Sequence, residues 1–153
     1  MKLAVLIDPE KVTANTGRLI ELMSVNPPDF VLVGGSTGSS MDALINMLKE
    51  QVKAPVVIFP GNVSQISEKA DALMFISLLS GRNPEYLIGS HVKAAAKLQN
   101  TKLKVVPVGY ILVDGGKESA VQRVSGTEPI PSTDIETIKN TAYAGQLLGM
   151  QYI

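Results

Sequence analysis

The sequence predicts an α/β protein built on a parallel sheet, and three observations carry that prediction. Its apolar residues gather in short continuous runs, these alternate with stretches of helical period, and Gly, Pro, Asn, Asp and Ser cluster at the junctions. A continuous rather than alternating run marks a strand buried on both faces, which is the condition of parallel strands covered by helices.

The first run is residues 3–7, closed at once by Asp8-Pro9. The second, residues 30–33, leads through a Gly/Ser-rich turn to a helical stripe of Met41, Leu44, Ile45, Leu48 and Val52. Runs at 56–59 and 72–76 follow, then a second stripe of Leu87, Ile88, His91, Val92, Ala95 and Leu98. A fifth run covers 105–113, and a last one opens at Met150, so the βα unit repeats about five and a half times. Helix starts are expected at Ser40 and Asp42, at Asn62 or Ser64 ahead of Ile66, and at Asp134. Residues 115–133, rich in Gly, Ser, Pro and Thr, are expected to form a long loop of the kind that serves as a lid or binding segment or is disordered.

A length of 153 residues predicts a single domain, 1–153. With 45% hydrophobic and 18% charged residues the chain has the composition of a packed globular protein, and aliphatics carry the core because aromatics are only 5%. Fourteen basic residues balance fourteen acidic ones, so no field draws the chain to a polyanion and nucleic acid is not an expected partner. Without cysteine there are no disulfides or thiolate sites, which fits a cytoplasmic location. The apolar start of the chain is too short for a signal or a membrane span, which needs ~20 residues.

Parallel α/β sheets, open or closed, bind ligands beyond the carboxyl ends of their strands. The residues there are Asp8, the turn Gly34-Gly35-Ser36-Thr37-Gly38, Pro60-Gly61-Asn62, the segment from Ser77 through Ser80 and Gly81 to Arg82, and Asp114-Gly115-Gly116. Asp8 is placed either to hold a hard cation through oxygen or to cap a turn that starts with proline. The glycine-rich turn offers backbone amides and two hydroxyls to a phosphate or a Mg²⁺ shell, or serves as a tight strand-to-helix turn; it is neither a P-loop nor a dinucleotide fingerprint. Arg82 is read as a solvated cation before a diphosphate ligand, and His91, the sole histidine, as a packing residue before a catalytic one.

Taken in order, LIDPEK, VLVGGSTG, VVIFPGN, ADALMFISLLSGRNPEYLIG, VVPVGYILVDGG and RVSGTEPIP resemble the geranylgeranylglyceryl phosphate synthases from end to end of the chain. Heptaprenylglyceryl phosphate synthases are related to the same pattern. The resemblance implies a TIM (β/α)8 barrel that joins a polyprenyl diphosphate, most often geranylgeranyl, to the C3 hydroxyl of sn-glycerol-1-phosphate, the first ether bond of an ether phospholipid. It implies Mg²⁺ held by Asp8 and Ser36, with Thr37 the adjacent hydroxyl. It also implies a donor groove to which Pro60, Gly61, Asn62, Ser80 and Tyr110 belong. A transient contact with a membrane surface and a homo-oligomeric state come from the same source.

Family members continue past the point matching Ile153 into a Tyr-x-Glu strand end and two further βα units. The barrel is therefore expected to be incomplete, with five and a half to six units present, and the general-base Glu to lie beyond Ile153. This chain alone is expected to be inactive. Two other readings stay open: a non-catalytic remnant that binds metal or prenyl diphosphate, and a doubly wound phosphate- or nucleotide-binding domain.

Overall fold

The structure, a computed structural model, describes residues 2–35 and 41–153. Its strands are β1 (Ala4–Ile7), β2 (Phe30–Val33), β3 (Val56–Ile58), β4 (Ala72–Leu78) and β5 (Lys104–Tyr110). Its helices are α1 (Ala14–Val25), α2 (Asp42–Gln51), α3 (Ser90–Leu98), α4 (Ala120–Ser125) and α5 (Ile135–Leu147). The strands form one parallel sheet in the order β1-β2-β3-β4-β5. Because the order never reverses, there is no switch point of the doubly wound kind, and that alternative reading is set aside.

The chain divides into two compact units, one of Met1–Met74 with Ala96–Val105, the other of Phe75–Ala95 with Val106–Ile153. In the first unit, register pairs Ala4 with Phe30, Val31 with Val56 and Val57 with Ala72. Val31, Val33, Val56 and Ile58 from the sheet are fully buried with Ile20 of α1 and Ile45 and Leu48 of α2. These β-branched residues suit the strands because they fill both faces of the pleat, and β3 is buried at every position. The two-sided burial expected of all runs fails at β1, where Leu3 and Leu6 are 60% and 53% exposed. Among the described residues β1 pairs with β2 alone, so it is an edge and its apolar residues lack cover.

Four expectations need correction. No helix follows Asn62 or Ser64: residues 59–71 are turns, and Asn62 Oδ1 accepts from the Ser64 N–H at 2.9 Å and its hydroxyl at 2.5 Å, closing a local turn in place of a helix. Nor does Asp42 cap α2; it opens that helix and accepts from the Ser67 hydroxyl at 2.6 Å, while Ser40 lies outside the described residues. The fifth run stops being a strand at Tyr110, and the stretch 115–133 is not a structureless loop.

In the second unit that stretch holds α4. Ser119 Oγ accepts from the Gln122 N–H at 3.1 Å to start it, and Gly126, at φ 62°, ends it in the left-handed conformation that glycine adopts without penalty. A bridge between Val113 and Ile130 closes the segment. Asp134 caps α5 as expected, accepting from the Thr137 N–H at 3.1 Å. The run opening at Met150 also behaves as read: Gln151 N–H donates to the Pro107 carbonyl, and Tyr152 bridges Val108 in parallel sense, beside β5.

α3 is preceded by one π-helical turn, Glu85–Gly89. His91 on α3 is buried, packs edge-on against Phe75 with ring centroids 4.3 Å apart, and puts Nε2 3.2 Å from Ser77 Oγ. Ser77 Oγ also donates to the Leu87 carbonyl at 3.2 Å. Burial holds the imidazole pKa below its ordinary value, against a backbone contact from Ile76. No helix among the described residues is long and apolar enough to cross a membrane.

Candidate functional site

In the first unit, β1 delivers Asp8 directly after its last residue, where Pro9 opens a short 3-10 turn. Asp8 Oδ1 accepts from the Glu10 N–H at 3.1 Å and Oδ2 meets Lys11 Nζ at 3.0 Å. The Lys11 ammonium first, and the Glu10 N–H second, hold the carboxyl below the usual carboxylate range despite a smaller opposing cost of burial. The two sequence readings of Asp8 are thus compatible: it caps the turn and remains an ionised, 18% exposed carboxylate.

Glycines bring the next two strand ends against it. A Cβ on Gly34 would fall 1.8 Å from the Phe59 carbonyl oxygen, and one on Gly35 would fall 2.5 Å from Asp8 Oδ1. A side chain at Gly34 would force the ends of β2 and β3 apart, whereas one at Gly35 would displace the Asp8 carboxylate. Of the other residues in this unit, Pro60 and Asn62 are half-buried and Gly61 is exposed, its N–H donating to Gln65 Oε1 at 2.7 Å. Gln65, which sequence reasoning passed over, is buried and also reaches the Gly35 carbonyl. Only its place between apolar Val63 and Ile66 hinted at burial. Ser36 and Thr37 lie outside the described residues.

The fit to a hard cation can be judged on Asp8 itself. Its carboxylate is ionised, partly open, and already faces a cation on the tip of an 82% exposed lysine, a group that solvent can receive at little cost. An oxygen donor of that kind suits Mg²⁺. Among the described residues, no group of three or more His, Cys, Asp or Glu gathers there, so the other donors would have to be hydroxyl, carbonyl or ligand oxygens.

The second unit places Ser80 and Tyr110 differently. Ser80 Oγ accepts from the Leu112 N–H at 2.8 Å, and the Tyr110 carbonyl accepts from the Leu79 N–H at 2.9 Å, so both tie the end of β4 to the end of β5. Arg82 is exposed and turns its guanidinium back onto the Gly81 carbonyl at 2.8 Å. Asn83 Nδ2 and Tyr86 OH donate to the Ser125 and Val124 carbonyls, at 3.1 Å each, and so hold the end of α4.

Comparison with known proteins sharpens what this arrangement belongs to. The model of the PcrB family matches residues 1–153. A geranylgeranylglyceryl phosphate synthase of Zunongwangia profunda is 49% identical over 99% of this chain, and one of Flavobacterium johnsoniae 47% over 99%. The chain spans 65% and 63% of those relatives' own lengths. Among solved structures, the (S)-3-O-geranylgeranylglyceryl phosphate synthase of Thermoplasma acidophilum, crystallised with its substrate sn-glycerol-1-phosphate, superposes with a TM-score of 0.85 at 38% identity. It matches 97% of this chain and 61% of that one. The corresponding enzyme of Thermoplasma volcanium gives 0.86 at 32% identity, over 98% of this chain and 61% of its own.

Proposed function

The chain belongs to the PcrB family, and from that premise we propose that the complete protein transfers a polyprenyl group, geranylgeranyl in the reading we favour, from its diphosphate to the C3 hydroxyl of sn-glycerol-1-phosphate. The observation that carries this reading at the level of the site is the ionised Asp8 carboxylate laid against Gly35 at the adjoining ends of β1 and β2. Asp8 and Ser36 would hold Mg²⁺, with Thr37 beside them. A bound divalent cation supplies charge stabilisation to a departing diphosphate. For Asp8 to hold a cation, Lys11, whose tip is exposed to solvent, would have to give up its ion pair with Asp8. Pro60, Gly61 and Asn62 of the first unit would border the donor.

The sheet is proposed to be part of a TIM barrel. Its sequential parallel order and the exposed apolar residues of β1 support this, since in a closed barrel β1 would pair on its second edge as well. The general base and the glycerol phosphate site are assigned to the part of the family's length that this chain does not span. The 153-residue chain alone is accordingly proposed to bind cation or prenyl diphosphate without turnover. The reaction is placed in the cytoplasm, with transient contact at a membrane surface and a homo-oligomeric enzyme.

The test is formation of the prenyl ether from labelled prenyl diphosphate and sn-glycerol-1-phosphate with Mg²⁺. In the complete protein, Asp8→Ala is expected to lower turnover on the order of 10³-fold, the scale of losing several kcal/mol of charge stabilisation. The thermal midpoint should move little. Unchanged turnover in a folded variant removes Asp8 from the cation site, and ether product from the 153-residue chain alone refutes its assignment as inactive.

A further inference from the structure

The open edge of β1 can be read group by group. The Leu3 and Ile7 carbonyls accept from the Phe30 and Gly34 N–H groups at 3.3 and 3.2 Å, on the side of β2. Main-chain groups alternate in direction along a strand, so Leu3, Val5 and Ile7 turn theirs toward β2 while Ala4 and Leu6 turn their N–H and C=O groups outward. Ala4 and Leu6 are also exposed, Leu6 at 53%. Among the described residues no strand pairs with that edge. From Leu3 to Ile7 there is neither a charge nor a proline, the devices that commonly keep an edge strand from pairing.

Residues 2–8 are complementary to their own reverse. In an antiparallel pair of two β1 strands centred on Val5, Ala4 of each copy faces Leu6 of the other. Such hydrogen-bonded pairs exchange both N–H···O bonds, so every outward group of Ala4 and Leu6 is satisfied. On the other face Val5 meets Val5 and Leu3 meets Ile7, and at both ends Lys2 lies opposite Asp8. Asp8 is ionised, and its extended backbone continues the line of the strand. A register shifted by two residues sets Lys2 opposite Leu6 or Asp8 opposite Ala4, and a parallel pair sets like charges side by side. Charge and apolar pairing thus select one register, and the outward hydrogen-bonding groups fit it.

We propose that the 153-residue chain forms a two-fold homodimer through the outer edge of β1, joining the sheets of two copies by antiparallel pairing of residues 2–8. The contact is isologous, so it closes at two copies. It stands apart from the prenyl-transfer reading; in a complete barrel the same edge would take a strand of the chain itself.

Sedimentation velocity of the 153-residue chain over a range of concentrations tests this. A concentration-dependent dimer is expected, and a monomer throughout or an open-ended polymer overturns the proposal. Leu6→Lys places a charge on the pairing edge and is expected to leave a monomer with unchanged far-UV circular dichroism. Lys2→Glu sets like charges opposite each other at both ends and should raise the dissociation constant roughly tenfold. An unchanged dimer in Leu6→Lys overturns the use of this edge, and an unchanged dissociation constant in Lys2→Glu overturns the register. If Leu6→Lys does not fold, amide hydrogen exchange of the wild-type chain decides. The Ala4 and Leu6 amides should be protected in the dimer and exchange faster on dilution to monomer, while the Val5 amide, which faces β2, stays protected. Ala4 and Leu6 amides that exchange at one rate in both states overturn the proposal.

Discussion

The polar residues that follow β1 to β3 and those that follow β4 and β5 look alike in the sequence, yet the structure employs them differently. In the first unit the strand ends are stripped to glycine backbone, and the one carboxylate among them stays ionised and partly open. In the second unit Ser80, Asn83 and Tyr86 are bound into the loop that they build, and Arg82 faces its own neighbour's carbonyl. The difference lies in hydrogen-bond accounting. A loop of some twenty residues has many backbone groups without ladder partners, and nearby side chains supply them, whereas short strand-to-turn junctions leave side chains available for a ligand.

The largest expected effect tests the stripped junction. Gly34→Ala would put a methyl group 1.8 Å from a backbone carbonyl that cannot swing away. It should destabilise the protein by about 3 kcal/mol or more, read by denaturant unfolding, because overpacking of a site without slack sits at the upper end of its usual range. Gly115→Ala is the control, since nothing lies within 4 Å of the added atom, and it should change stability by less than about 0.5 kcal/mol. Equal effects at the two glycines would break the comparison.

A smaller effect is expected at Ser80. Ser80→Ala leaves the N–H of buried Leu112 without its acceptor, which should cost about 1–2 kcal/mol. If Ser80 serves the loop, the loss appears in stability and leaves affinity for prenyl diphosphate nearly intact. A marked loss of affinity at unchanged stability would return Ser80 to the same class as Asp8.

The smallest effect separates the two units by pH. His91 is buried, and its folded-state pKa lies below the unfolded value of 6.5, so the unfolded chain takes up the proton more readily. Its contribution is complete above that value and is lost as pH falls below 6.5 toward the folded pKa. Asp8 has the same direction in a lower window, being depressed from 3.8. Unfolding followed between pH 7 and 5 should therefore show a decline that His91→Phe removes and Asp8→Asn does not. A decline that persists in His91→Phe assigns it to another group.

Much of the fold was legible because burial on both faces writes itself as unbroken runs of Val, Ile and Leu, and four of the five runs became strands near their read bounds. The fifth began correctly and was read too long, since Ile111, Leu112 and Val113 are apolar for reasons of packing and bridging rather than strand pairing. α4 was missed because six residues give too few turns for a helical period to register, and its signs, Ser119 and Gly126, look like ordinary loop residues. The helix read after Ser64 failed because Asn62 and Ser64 satisfy each other, a local bond that competes with helix capping and that no periodicity reveals.

By itself the sequence determined the parallel α/β class, the position of Asp8 and the glycine turn at strand ends, and the family. All of these follow from residue type and order along the chain. Only the tertiary structure decided that Gly34 and Gly35 are bare so that neighbouring strand ends can touch, that Gln65 bridges the turns at Gly35 and Gly61, and that Ser80 ties the end of β4 to the end of β5. The physical reason is common to the three: each depends on which backbone groups are left without a partner once the strands have paired, and that is a property of the assembled sheet.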